Sequence, residues 1–244
     1  MSKRTELRER RAKSRRRRMG IYLGVVAIAS LFVMAMILYP NVGPVGEVAP
    51  ITPFPRPQAD GRSAGDPDAP VTIEAYEDFQ CPACAAFAAQ TERQLMDEYV
   101  GTGKASFIFR HFPFLEPAPG GESTQASNAS MCAAEQGRFW DYHDMLFANQ
   151  TSENRGAFSD RRLEAIAETI GLDMDAFSAC FDEDRYRQEI DADEQRGLDL
   201  GVNATPSIAV NGVLVQDPDP RLVPSYELIA AAIDSALQPA ATTP

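Results

Sequence analysis

Cys81 and Cys84, in the stretch EDFQCPACAAF of residues 77–87, are the residues of this chain best suited to chemistry. Two thiols three positions apart, where a β-branched run gives way to a helical pattern, fit a reactive dithiol, half of a metal site or a structural staple. Pro82 suits a first helical position and leaves Cys81 at or beside the cap. There the backbone N–H groups and the helix dipole favour the thiolate, the form that attacks a disulfide. Cys84 lies one turn further on the same face, close enough to close a ring with Cys81. The chemistry expected is thiol–disulfide exchange, in which Cys81 forms the mixed disulfide and Cys84 resolves it or receives the bond back. Zinc would want a second close pair. Here Cys132 and Cys180 stand 48 residues apart, and the only histidines are His111 and His143.

The dithiol needs a strand and a helix to present it. Val71–Tyr76 is rich in β-branched and apolar residues and reads as a buried strand. A helix then begins at the cysteine motif, with Ala85, Ala88, Leu95, Met96 and Tyr99 on one face. KASFIFRHFPF reads as a second strand, ended by Pro113. A mainly helical block follows. Its apolar stripes run through Ala129, Cys132 and Ala133; through Phe139, His143, Leu146 and Phe147; through Leu163, Ile166, Ala167 and Ile170; and through Phe177, Cys180 and Phe181. Gly171 closes the third stripe as a helix-terminating glycine, and DRYRQEIDADEQRGLDLG reads as an exposed fifth helix. TPSIAVNGVLV then gives two short strands about Asn211-Gly212, a hairpin signal, and a last helix covers about Tyr226 to Leu237.

Charge is divided unevenly along the 244 residues. Residues 1–19 hold ten Lys and Arg against two acids, a net of +8, and the remainder holds 13 basic and 33 acidic residues, a net of −20. A basic tail alone could point to nucleic acid, but no charged residue occurs from Met19 to Gly46, and GIYLGVVAIASLFVMAMILY supplies 20 mostly apolar positions. That length spans a bilayer as a helix, and positive flanks stay in the cytoplasm. The reading is a basic cytoplasmic tail (1–19), a single-pass anchor (20–39), a Pro/Gly-rich linker (40–65) with eight prolines and four glycines between Pro40 and Pro70, an extracytoplasmic domain (66–238) and a disordered tail (239–244). A cleaved signal peptide is the alternative, though no Ala-x-Ala-like site follows the apolar run. The acidic domain disfavours anionic partners, nucleic acid among them.

Three stretches, DPDAPVTIEAYEDFQCPAC, QGRFWDYHDMLF and GVNATPSIAVNG, in this order, resemble the DsbA-like branch of the thioredoxin superfamily, including its membrane-anchored bacterial members. The resemblance covers about Asp66 to Leu237. It implies an α/β thioredoxin fold with an inserted helical domain, about 117–200, preceded here by the transmembrane helix. It implies an enzyme, a thiol:disulfide oxidoreductase that forms disulfides in exported proteins with cysteines. No metal or organic cofactor is expected, and reoxidation falls to a quinone-linked membrane protein of the DsbB or vitamin-K-epoxide-reductase type. By the same resemblance Thr205-Pro206 is the loop whose proline is cis beside the redox pair, so that Pro82, Ala83, Thr205 and Pro206 would meet the client. Relatives often carry a buried Glu six residues before the first cysteine; that position is Ala75 here. Glu74 would point to the opposite face, and Glu77 keeps the parity of Ala75 but lies nearer the loop, so the family's proton relay is not carried over.

Cys132 and Cys180 are expected to form a structural disulfide, as in some relatives with an extra pair, since exported cysteines live where disulfides persist; buried free thiols are the alternative. His143 reads as a core histidine, His111 as core or site edge, and Trp140 as core. Asn128, Asn149 and Asn203 head glycosylation-like triplets that read as coincidences in a bacterial-looking chain. The direction of exchange stays open between oxidase and reductase or isomerase; Pro-Ala between the cysteines shares the leading proline of oxidases. A copper-handling module on the same scaffold is a further alternative, against which no His or Met flanks the motif.

Overall fold

The computed structural model describes residues 3–42, 45–219 and 222–238; the tail expected at 239–244 lies outside them. The chain divides into an N-terminal unit ending at Val45 and a second unit from Gly46. In the first, α1 (Lys3–Val42) carries basic tail and apolar run as one continuous helix. Its stretch Arg15–Met36 contains an 18-residue window of mean hydropathy 2.2 and is long and apolar enough to cross a membrane.

In the second unit, five strands form one mixed sheet among the described residues: β1 (Ser63–Ala64), β2 (Val71–Glu77), β3 (Ala105–His111), β4 (Ser207–Val210) and β5 (Val213–Leu214). Their order is β1-β3-β2-β4-β5. β2 and β3 run parallel, from Val71 opposite Ala105 to Glu77 opposite His111, and β4 pairs antiparallel with β2. A central strand buried on both faces needs apolar residues at nearly every position; β2 meets this at Val71, Ile73, Ala75 and Tyr76, while its Glu74 and Glu77 are buried acids. Each has a distinct fate. Glu74 faces α8 (Arg187–Leu200), and Arg196 of that helix and Arg110 of β3 bind its carboxylate at 2.8–3.0 Å. Glu77 points the other way, with Ile73 and Ala75, towards the dithiol.

Cys81 caps α2 (Pro82–Ala89), after which α3 (Thr91–Leu95) and a π-helical turn (Met96–Val100) complete the crossover to β3. The single helix expected from the apolar stripe is thus broken at Gln90, whose φ of −125° and ψ of −73° lie outside the helical region. Beyond the break Glu92 is buried rather than exposed. Between β3 and β4 the chain makes α4 (Glu122–Ala134), α5 (Phe139–Ala148), α6 (Asp160–Thr169), α7 (Met174–Asp182) and α8, and α9 (Tyr226–Leu237) follows the hairpin. Cys132 of α4 and Cys180 of α7 are joined by a disulfide with a Cα–Cα distance of 5.7 Å. α8 packs so closely on the sheet that a Cβ on Gly197 would lie 2.8 Å from the Phe112 ring and 3.0 Å from that of Tyr76.

The Pro-rich segment expected as a spacer to residue 65 is, from Val48 onward, laid on this unit as a strap. Ala49 and Asn149 exchange two hydrogen bonds, of 2.8 and 3.0 Å. The Phe54 N–H donates to Asp144 at 2.7 Å, Val48 and Phe54 pack on the core, and Ser63–Ala64 add an antiparallel edge to β3. Proline lacks the N–H a sheet ladder requires, so between Ala49 and Phe54 the segment attaches through the side chains of Asp144 and Asn149, a pattern with no sequence periodicity.

Candidate active site

Cys81 occupies the N-cap of α2 with extended backbone (φ −78°, ψ 118°) and Pro82 follows at the helix start. The loop that delivers it is held by Asp78. The Asp78 carboxylate accepts from the Gln80 N–H at 2.8 Å, the Leu115 N–H at 2.8 Å and the Ser123 hydroxyl at 2.7 Å. Gln150 of the inserted block donates to the carbonyls of Phe79 and Cys81. Two different regions of the chain therefore pin one tight turn, and none of these partners is legible from the motif alone.

The peptide bond Thr205–Pro206 is cis. It lies against the dithiol, with the Cys81 thiol donating to the Thr205 carbonyl at 3.3 Å. Cys81 is 6% exposed and Cys84 fully buried; both are free thiols. Ala83, Thr205 and Pro206 share one side of an open groove of about 310 Å³ with Ser207, Leu214 and Val223. All six residues expected around the redox centre are thus brought together, while Cys132 and Cys180 lie away from it, bonded to each other.

The two thiols differ sharply in proton affinity. Cys81 is lowered to about 6, first by the hydrogen bond from the Cys84 thiol, then, against the opposing effect of burial, by the Thr205 side chain and the N–H groups of Ala83 and Cys84. Cys84 is pushed well above the ordinary thiol value by burial, by its role as donor to Cys81 and by the charge of Glu77. One sulfur is thereby held towards the thiolate and the other towards the thiol.

The residue six before Cys81, Ala75, is fully buried and carries no acid. Two residues later on the same face Glu77 is 1% exposed, and neither carboxylate oxygen has a hydrogen-bond partner. Burial, then Glu92, then the Cys81 sulfur raise its proton affinity well above the usual carboxylate range, and the Arg56 guanidinium opposes them. His111 is fully buried against Phe109 rather than at the site edge, and desolvation holds its ring neutral. His143 is buried as expected of a core histidine, yet it belongs to an ionic cluster. Its Nδ1 lies 2.9 Å from Asp144, and Nε2 lies 3.8 Å from Glu92. Arg56 of the strap joins the set at 2.6 Å to both Glu92 and Asp144. The only sequence signal for this cluster was a lone arginine among the prolines of PFPRPQ.

A parallel–antiparallel sheet order, a capped dithiol at the end of the central strand and an adjacent cis-proline define a thioredoxin-type redox protein. The family model described as Thioredoxin matches residues 58–234. The chain belongs to the thioredoxin family, in its DsbA-like branch of thiol:disulfide oxidoreductases. It is 26% identical over 179 residues to the probable disulfide bond formation protein D of Bacillus cereus, covering 72% of this chain and 79% of that one. It is also 33% identical over 180 residues to the Na(+)/H(+) antiporter NhaA 3 of Salinispora tropica; the match takes in 74% of this chain but spans only 25% of the antiporter's length. The crystal structure of oxidised BdbD from Bacillus subtilis shares the fold with a TM-score of 0.61 at 22% identity, covering 78% of this chain and 99% of that one.

Proposed function

We propose that this chain is a membrane-tethered, extracytoplasmic thiol:disulfide oxidase that introduces disulfides into exported proteins through Cys81 and Cys84. The observation that carries this reading is the split between the thiols: Cys81 at about 6 and Cys84 far above it. A client thiolate attacks the Sγ of Cys81 in the oxidised protein, forming the mixed disulfide, and Cys84 leaves and takes up a proton. The second client thiolate then attacks the client's own sulfur, and Cys81 leaves as a thiolate. The client loses two electrons and the Cys81–Cys84 pair gains them. A low-affinity leaving thiol drives both the rate and the equilibrium towards the reduced enzyme.

The groove beside cis-Pro206 supports a role for Ala83, Thr205 and Pro206 in seating an extended client segment, with backbone pairing at Thr205. The helix Arg15–Met36 supports anchoring, with the basic residues of the tail on the cytoplasmic side. Tethering raises the effective concentration of the domain towards a membrane-bound oxidant, in keeping with a quinone-linked reoxidising partner of the DsbB or vitamin-K-epoxide-reductase type. The test is the reduction potential of the Cys81–Cys84 couple, equilibrated against glutathione and read by mass after alkylation. A value above about −180 mV is expected of a disulfide donor, and a value at or below about −270 mV would make the protein a reductase.

A further inference from the structure

Residues 78–81 lie between the end of β2 and the start of α2, where neither a sheet ladder nor a helix supplies the backbone's partners. Much of what replaces them comes from one short loop after α5. Gln150 is half-buried there, and its Nε2 donates to the Phe79 carbonyl at 2.5 Å and to the Cys81 carbonyl at 3.0 Å. Between those two contacts Asn154 of the same loop holds the Gln80 side chain. The Asn154 N–H donates to Gln80 Oε1 at 2.6 Å, and its Oδ1 accepts from Gln80 Nε2 at 3.2 Å. Two carbonyl oxygens facing one side-chain amide admit only its NH₂ end, so both hydrogens of Gln150 are committed to this turn. A side chain that merely fastened the inserted block could bond to any backbone group. Gln150 bonds to two carbonyls two residues apart, and one of them belongs to Cys81.

The direction of the Cys81 carbonyl is the ψ angle of that residue, 118°. Rotation about the same bond swings α2 relative to the Cys81 side chain, because the sulfur hangs on one side of it and the helix begins on the other. This one angle therefore decides whether the unpaired N–H groups of the first turn, and the positive end of the helix, are aimed at Sγ. Within α2 the carbonyl accepts from the Ala85 N–H at 3.2 Å, and Pro82 brings no N–H to the first turn. We propose that Gln150 is a positioning residue of the redox centre: by holding the carbonyls of Phe79 and Cys81 it keeps the first-turn N–H groups of α2 aimed at the Cys81 sulfur. The inference rests on the oxidoreductase reading above. The hold matters most when the dithiol is open. In the oxidised protein a Cys81–Cys84 bond would itself tie the turn to the helix, whereas both sulfurs here are free thiols and the two Gln150 bonds are in place. A loop of the inserted block thus takes over the alignment in the reduced and mixed-disulfide states, in which Cys81 must be presented without that crosslink.

The test uses the full chain in detergent. Thiolate absorbance of the reduced protein is titrated, and the dithiol is equilibrated with glutathione at pH 7, alongside Tm. The titratable groups that act on Cys81, Cys84 of α2 and Glu77 of β2, are the same in every variant. Gln150→Met keeps the length and loses the donor. It is expected to raise the Cys81 midpoint by about one pH unit and, because the thiolate stabilises the reduced form, to move the glutathione equilibrium about fivefold towards the oxidised protein. Gln150→Asn, which keeps the amide but draws it back by one carbon, should fall between Met and the parent. Gln150→Glu, a carboxylate facing two carbonyls, should shift both readings further the same way. The paired Cys132→Ser and Cys180→Ser replacement, away from the site, should lower Tm with both readings at the parent value. If Gln150→Met lowers Tm while midpoint and equilibrium stay with the parent, the inference is overturned and Gln150 only fastens the inserted block. A shift in Gln150→Glu with none in Gln150→Met overturns it too, because the added charge then acts on the sulfur directly. A shift of the same size in the paired serine replacement overturns it as a consequence of lost stability. A parent chain that exchanges no thiols at all overturns the oxidoreductase reading itself.

Discussion

The thiolate of Cys81 should stabilise the reduced protein in a definite pH window. Cys81 falls from an ordinary thiol value of 9.0 to about 6 in the folded state. An acid whose folded value is depressed contributes nothing while both states are protonated, below pH 6. Its contribution grows as pH rises through 6 and is complete above the unfolded value near 9. Three units correspond to about 4 kcal/mol at that limit, and integration to pH 7 gives about 1.4 kcal/mol. Glu77 is raised and opposes stability above the usual carboxylate range, but it is present in both redox states and largely cancels between them. Cys84 is raised above the ordinary thiol value and is a thiol throughout the window. The difference in unfolding free energy between reduced and oxidised protein should therefore rise by about 1.4 kcal/mol from pH 5 to 7 and continue to rise towards pH 9. By the thermodynamic cycle the same 1.4 kcal/mol at pH 7 is about 30 mV of oxidising power. Denaturant unfolding of both forms at pH 5, 7 and 9, with thiolate absorbance of the reduced form titrated in parallel, measures both sides. A difference that is flat with pH, or a Cys81 midpoint near 9, would refute the assignment of the stabilised thiolate.

Two further perturbations separate the scaffold from the site. Replacing Cys132 and Cys180 together by Ser removes a crosslink closing 48 residues and should lower stability by about 4 kcal/mol, a Tm loss of about 10 °C by calorimetry, with the Cys81–Cys84 potential unmoved. Gly197→Ala places a methyl 2.8 Å from the Phe112 ring and should cost about 1–3 kcal/mol in denaturant unfolding; an unchanged midpoint would show that α8 can lift off the sheet freely.

The candidate site of this protein was legible in its sequence wherever it depends on neighbours along the chain. A cysteine beside a helix-starting proline, with a second thiol one turn on, places the two sulfurs together by local geometry alone. The strands β2 and β3, the Asn211-Gly212 hairpin and α9 follow from side-chain period and turn chemistry, which are properties of short windows. The apolar run of α1 likewise carries its own length. Other features arise only when distant segments meet. Gln90 breaks an apolar stripe that reads as continuous, because the packing that decides whether Glu92 lies inside comes from the strap, 36 residues earlier. Arg56 looked like one charge in a proline-rich spacer; burial against Trp140, Glu92 and Asp144 makes it the cation of a buried acid cluster. Glu77 shows the division most plainly. Strand alternation put it on the face of Ala75, but its loss of every hydrogen-bond partner, and with it its hold on a proton, is set by which side chains the fold leaves around it.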